Sequence, residues 1–172
     1  MNKRLDCIFK RRSVRKYLAR EISDKSIQDI LEAAMSAPSA CAADPWEFIV
    51  VREQAARDAL AAALPYGKML RSAPVGIVVC GDLSRAHGNE LSYMLQDCAA
   101  AIENLLLAAS KLGLGACWRG VHPRPDRVAA LKKIFSLPEN IVPVSTIALG
   151  YPGERKTART RFKAERIHLG KW

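Results

Sequence analysis

The chain has 172 residues, nearly half of them hydrophobic, and a formal net charge of +10, a size and composition that fit one globular domain with its own core. No apolar run approaches the roughly 20 residues needed to cross a bilayer. The amino terminus is basic but lacks the apolar stretch and small-residue cleavage site of a secretory signal, so a cytoplasmic protein with no membrane partner is expected.

Leu5, Ile8 and Phe9 followed by basic residues predict a short helix that runs into an extended stretch, RRSVRKY at 11 to 17. Ser23 then offers an N-cap to KSIQDILEAAMSA, whose stripe of Ile27, Ile30, Leu31 and Ala34 predicts a second helix ended by Pro38. WEFIVV reads as a buried strand and REQAARDALAAAL as a helix broken by Pro65 and Gly67. Val75 to Cys80 forms the second strand, with Gly81 and Asp82 as its exit. From about Glu90 to Leu112 a long helix is apolar nearly all round, which predicts burial against the sheet and against a second subunit. GLGACW turns into a third short strand, Pro123 to Phe135 forms a further helix, and VPVSTIALGYP supplies the last strand. The tail, ERKTARTRFKAERIHLGKW, has no sustained periodicity, and its closing tryptophan implies docking onto something else. With no repeat and no linker, residues 1–172 read as a single α/β or α+β layer domain.

Charge concentrates at the two ends. Residues 1–20 hold eight Lys or Arg and residues 155–172 hold seven of the 27. Such arms neutralise phosphates, yet no nucleic-acid motif and little aromatic interleaving accompany them, so a nucleic-acid partner is the weaker expectation. Five cysteines, odd in number and never in a CxxC pair, read as reduced and mostly buried thiols. The three scattered histidines show no zinc spacing, so no metal is expected.

GxSxG, HExxH, P-loop and strand-following GxGxxG signatures are missing from the sequence. The glycines of GLGACWRG at 113 to 120 fit a helix C-cap and a tight turn better than a dinucleotide fingerprint. With so few acid, base or nucleophile pairs, either the protein is no enzyme or a cofactor carries its chemistry. Several arginines on neighbouring segments can cage one dianionic group. From the residues alone, RRSVRKY remains open between a solvated charge run, a membrane-facing one and a phosphate site.

Six collinear blocks, RRSVRKY, APSACAADPWEF, YGKMLRSAPVGIVVC, GLGACWRG, ALGYPGE and the basic end TRF to GKW, together resemble the nitroreductase family of FMN-dependent oxidoreductases, in its compact branch. The resemblance implies an α+β fold with a mixed, mainly antiparallel sheet flanked by helices. It also implies an intertwined homodimer, with FMN at the interface and the segment from about 153 to 172 reaching over the partner subunit. Arg11, Arg12, Ser13 and Arg15 match positions that hold the phosphate, ribityl chain and ring edge of FMN. Arg161 matches a phosphate-contacting arginine, Arg159 stands where some relatives have a lysine, and Lys68 matches a lysine at the pyrimidine edge. Pro38 and Ser39 match the loop beside the flavin, and Arg119 and Gly120 match a pair whose backbone lies near N5.

The function implied is hydride transfer in two half-reactions, from NADH or NADPH through FMN to a nitro compound, quinone or similar small-molecule acceptor, with no side chain as catalytic nucleophile. Enone reduction, dehalogenation and non-enzymatic flavin binding are the alternatives. One block departs from the family pattern: Ala42 stands where an asparagine is usual and Asp44 where a glutamine is.

Overall fold

In the computed structural model, which describes residues 2–172, a 3-10 turn at Lys3–Leu5 leads into α1 (Asp6–Lys10) and then into the extended arm. α2 (Asp24–Met35) starts where the Ser23 hydroxyl accepts the backbone N–H of Ser26, the N-cap that the sequence predicts. Its stripe buries Ile27, Ile30 and Ala34, while Leu31 is half-buried. β1 (Trp46–Val51), α3 (Gln54–Ala63), α4 (Met69–Ser72) and β2 (Val75–Asp82) follow. The short α4 is not foreseen, since four residues cannot show a period.

α5 (Leu91–Lys111), β3 (Gly115–Gly120), α6 (Pro125–Phe135) and β4 (Ile141–Gly150) complete the order. α6 starts two residues later than Pro123, because Pro125 takes its first position, where the missing N–H does no harm. The strands pair in the order β1-β2-β4-β3, every ladder antiparallel. The parallel contribution within this chain is the isolated bridge between Ser13 and Ala116. β2 is buried along almost its whole length, as a central strand covered on both faces must be.

Helices cover both faces of the sheet. On one side Val75, Ile77, Val79, Ile147 and Leu149 pack against Met94, Ile102 and Leu105 of α5 and against α2. On the other, Val78, Cys80, Cys117 and Ala148 meet Leu60, Leu70 and Leu131 of α3, α4 and α6. α5 has no fully exposed side chain from Asp97 to Ser110, the continuous burial that its all-round hydrophobicity predicts. Truncating a fully buried side chain such as Ile102 to alanine would cost about 2 to 5 kcal/mol. Cys80, Cys98 and Cys117 are buried and unpaired, with burial pushing the Cys80 and Cys98 thiols up to about 12, whereas Cys7 is half-buried and Cys41 exposed. No described helix is long and apolar enough to cross a membrane.

Candidate functional site

β3 lies at the edge of the sheet, and the amino-terminal arm covers that edge. Val14 donates its N–H to the Ala116 carbonyl at 3.0 Å, and Ser13 bridges Ala116 in parallel. Further on, Leu18 donates to the Tyr151 carbonyl at 2.9 Å and Gly153 to the Lys16 carbonyl at 2.8 Å. Glycine at 115 makes the approach possible: a Cβ there would meet Val14 side-chain atoms at 2.7 Å. The Tyr17 hydroxyl lies 2.6 Å from the Val14 carbonyl and 3.1 Å from that of Ala148, and burial pushes its phenol above the ordinary range. The arm is therefore fixed by the sheet before any ligand arrives.

Opposite the arm stands the first part of the carboxyl-terminal tail. A cavity of about 500 Å³ opens between them, with Arg11, Arg12, Ser13 and Arg15 on one side and Lys156, Arg159, Thr160 and Arg161 on the other. Arg12 joins the two walls, its Nη1 donating to the Thr157 carbonyl at 2.7 Å. Burial and the nearby Arg159, Arg11 and Arg161 hold its guanidinium below its ordinary pKa. Arg11 pairs with Glu103 of α5 at 3.1 Å and Lys156 with Glu154 at 2.7 Å. Among the described residues Arg12, Arg15, Arg159 and Arg161 form no ion pair. Guanidiniums crowded in this way repel one another until an anion enters, so the donor set suits a phosphate.

A second group lies further along β3. Arg119, three residues from Ala116 and hence roughly 10 Å along the strand, donates from Nη2 to the Pro65 carbonyl at 2.7 Å. Its guanidinium carbon lies 5.8 Å from the centre of the Tyr66 ring, and Lys68 follows on the same turn, exposed. Gly120 ends the strand with its carbonyl accepting from Arg127 Nη1 at 3.0 Å. A Cβ at 120 would meet no heavy atom closer than 4.0 Å, and its φ is not in the left-handed region. Nothing inside the chain demands glycine there. The space left by the missing side chain faces outward, as a site for close approach of a flat ligand would require.

Among the described residues no hydrogen bond joins Pro38 or Ser39 to either group. Their loop is folded onto α5 instead: Ala40 N–H donates to Asp97 Oδ1 at 3.0 Å, and the Ser39 hydroxyl donates to Asp44 Oδ1 while accepting the Asp44 N–H at 3.0 Å. Cys41, Ala42 and Asp44 all hold φ values near +50°, in the left-handed region. The loop that departs from the family pattern is thus also the most strained stretch of backbone.

Sequence reasoning overlooked Lys156 and Thr160 in the cavity and the carboxylates of Glu103 and Glu154 that orient its walls. Glu103 carries a signal in hindsight, being an acid within an otherwise apolar helix stretch, AAAIENLLLAA. The glycines of GLGACWRG divide as follows: Gly113, at φ +74°, donates to Ser110 while Leu114 donates to Ala109, a helix-ending turn, whereas Gly115 and Gly120 serve the strand.

Comparison with known proteins bears on the fold and the family. The sequence model of the Nitroreductase family matches residues 8–66 and 61–151. A protein of Methanothermobacter thermautotrophicus that bears the provisional name NADH dehydrogenase/NAD(P)H nitroreductase is 47% identical over 170 residues, 98% of this chain and 87% of its own length. A crystal structure from Bacteroides thetaiotaomicron with the same provisional name superimposes with a TM-score of 0.93 at 43% identity, over 100% of this chain and 99% of that one. A provisionally named nitroreductase from Desulfovibrio desulfuricans, solved in complex with FMN, gives 0.84 at 32% identity over 97% and 96% of the two chains. The chain belongs to the nitroreductase family.

Proposed function

We propose that the chain is an FMN-dependent NAD(P)H oxidoreductase that works by ping-pong, taking hydride from NADH or NADPH and delivering it to a nitro compound, a quinone or a similar electron-poor acceptor. The observation that carries this is the arginine cavity at one end of the β3 edge together with the open glycine at the other, a spacing suited to a phosphate and the ring it bears. The donor chemistry fits FMN: four guanidiniums without carboxylate partners call for a dianion. FMN, when bound, supplies the redox chemistry by accepting a hydride from nicotinamide and passing it on.

The chain's own residues bind and orient. Arg11, Arg12, Arg15, Arg159 and Arg161 hold the phosphate, with the Ser13 hydroxyl as a further donor. Gly120 and the Arg119 backbone leave the ring room at the strand end. Lys68 places a positive charge at the pyrimidine edge, where negative charge develops on reduction. Pro38 and Ser39 belong to a loop that reaches the site of a second copy, so a homodimer completes it. Because one exposed ring face serves both reactants, the oxidised nicotinamide leaves before the acceptor enters.

Two measurements test this. The purified protein, supplied with FMN and freed of excess, should keep a visible flavin band that bleaches under anaerobic NADH or NADPH; failure to retain flavin would overturn the assignment. Arg161→Ala should weaken FMN binding by about 1.5 to 3 kcal/mol while leaving riboflavin affinity nearly unchanged. Equal losses for both ligands would show that Arg161 does not read the phosphate.

A further inference from the structure

Arg119 stands apart from the arginines of the cavity. It is half-buried, its Nε is shielded from solvent without a hydrogen-bond acceptor, and no ion pair forms at Arg119, Lys68 or Arg127 among the described residues. Arg127, whose Nη1 bonds the Gly120 carbonyl, likewise has a shielded Nε without an acceptor. The Arg119 side chain is also held in place rather than free. Nη2 is anchored on the Pro65 carbonyl, and the Tyr66 ring lies 5.8 Å from its guanidinium carbon. Tyr66 itself keeps φ at +60° and stands 83% exposed, a non-glycine residue in a conformation that only its surroundings can maintain. A fork anchored through Nη2, with no acceptor for its Nη1 among the described residues, suits a planar or tetrahedral oxyanion.

The phosphate of the cofactor does not answer to this description, because its own cage lies about 10 Å back along β3. We infer that Arg119 recognises a carboxylate or phosphate carried by one of the two reactants, and so sets the charge preference of the enzyme. This rests on the flavin placement proposed above. Two anions could supply the shared chemistry: a carboxylate on the acceptor, or the additional phosphate that distinguishes NADPH from NADH. Asp44, the acid that could oppose either one, is turned onto the Ser39 hydroxyl and its own loop.

The test uses FMN-loaded protein and two substitutions. Arg119→Gln keeps a donor for the Pro65 carbonyl but removes the charge; Arg119→Lys keeps the charge. Binding of benzoate and of benzamide to the oxidised protein is followed by perturbation of the visible band. Steady-state kcat/KM is measured for 4-nitrobenzoate against 4-nitrobenzamide and for NADPH against NADH. If the anion is on the acceptor, Arg119→Gln lowers the ratio of benzoate to benzamide affinity and of 4-nitrobenzoate to 4-nitrobenzamide kcat/KM by about tenfold to a hundredfold, and Arg119→Lys recovers part of the loss. If it is the nucleotide phosphate, the loss falls on NADPH and spares NADH. Equal losses for charged and neutral ligands would make Arg119 a tether of the 65–68 turn and overturn the inference. Wild-type protein that keeps no flavin, or whose flavin bleaches with neither nicotinamide, would instead defeat the proposed function on which the inference stands.

Discussion

Residues 11–17 and residues 155–172 carry the same kind of charge, yet they are held in opposite ways. The arm is threaded along β3 and the end of β4 by backbone hydrogen bonds, with Val14 buried and Tyr17 pinned through its hydroxyl. Among the described residues the tail bonds to the rest of its own chain through Arg12 to Thr157 and Lys156 to Glu154, and its further hydrogen bonds are local, Phe162 to Thr160, Arg166 to Lys163 and Ile167 to Ala164. It also leaves Phe162, Leu169 and Trp172 exposed, the last at 99%. Apolar side chains of that size are rarely presented to water by a finished surface. One wall of the anion cavity is thus fixed to the sheet by backbone bonds, and the other is held by the side-chain bonds of Arg12 and Lys156.

Deleting residues 155–172 should break this comparison most strongly. It removes Lys156, Arg159 and Arg161 together with the four exposed apolar residues Phe162, Ile167, Leu169 and Trp172. FMN affinity should fall by about a hundredfold or more, from two or more charged contacts at about 1.5 to 3 kcal/mol each. The dimer expected of the intact chain should also be lost in sedimentation. Unchanged FMN binding would confine the site to the arm.

Gly115→Ala attacks the other wall. The new methyl has no room beside Val14 and should cost about 1 to 3 kcal/mol, read as a lowered melting temperature and weaker FMN retention together. Gly120→Ala is its control on the same strand: with open space around it, stability should stay within about 0.5 kcal/mol, while bleaching by reduced nicotinamide slows. Matching losses of stability at the two positions would refute the division between a packing glycine and a ligand glycine.

Tyr17→Phe is gentler, since the ring stays and one donated hydrogen bond to a part-buried carbonyl goes. A loss of about 0.5 to 1.5 kcal/mol is expected in thermal or urea unfolding. A variant as stable as wild type would mean that the backbone bridges alone hold the arm.

The sheet and its covering helices were legible because period, capping and β-branching act over a few neighbouring residues: Ser23 capped α2 as read, and β2 was buried as its unbroken apolar run required. Its end was less so, running to Asp82 because pairing with β4 carries it past Cys80. The convergence of the two basic ends was expected from a resemblance rather than from local physics, for no periodicity joins Arg12 to Thr157 across 145 residues. Glu103 and Glu154 escaped notice for the same reason, their roles existing only in three dimensions. The loop at 41–44 showed its unusual composition in the sequence but not its strain, which arises from bonds to Asp97 and within the loop.

The finest distinction between arm and tail lies in Glu154, where the two meet. Its carboxylate accepts the Arg15 N–H at 2.7 Å and pairs with Lys156 at 2.7 Å. The bond from Lys156, followed by that from the Arg15 backbone, holds its carboxyl below the ordinary value of 4.5. A carboxyl with a depressed folded-state pKa binds fewer protons in the folded chain than in the unfolded one, so stability rises with pH through that region. The contribution is complete above about pH 4.5 and is lost as pH falls through the lower, folded value. Wild-type protein should therefore loosen its hold on the arm in mild acid, seen as faster amide exchange at Val14 and Gly153, before the sheet unfolds. Glu154→Gln keeps an acceptor for Arg15 but cannot titrate, so its exchange at these amides should be nearly flat over the same range once intrinsic rates are divided out. If both proteins lose arm protection in parallel as the pH falls, Glu154 does not govern the junction.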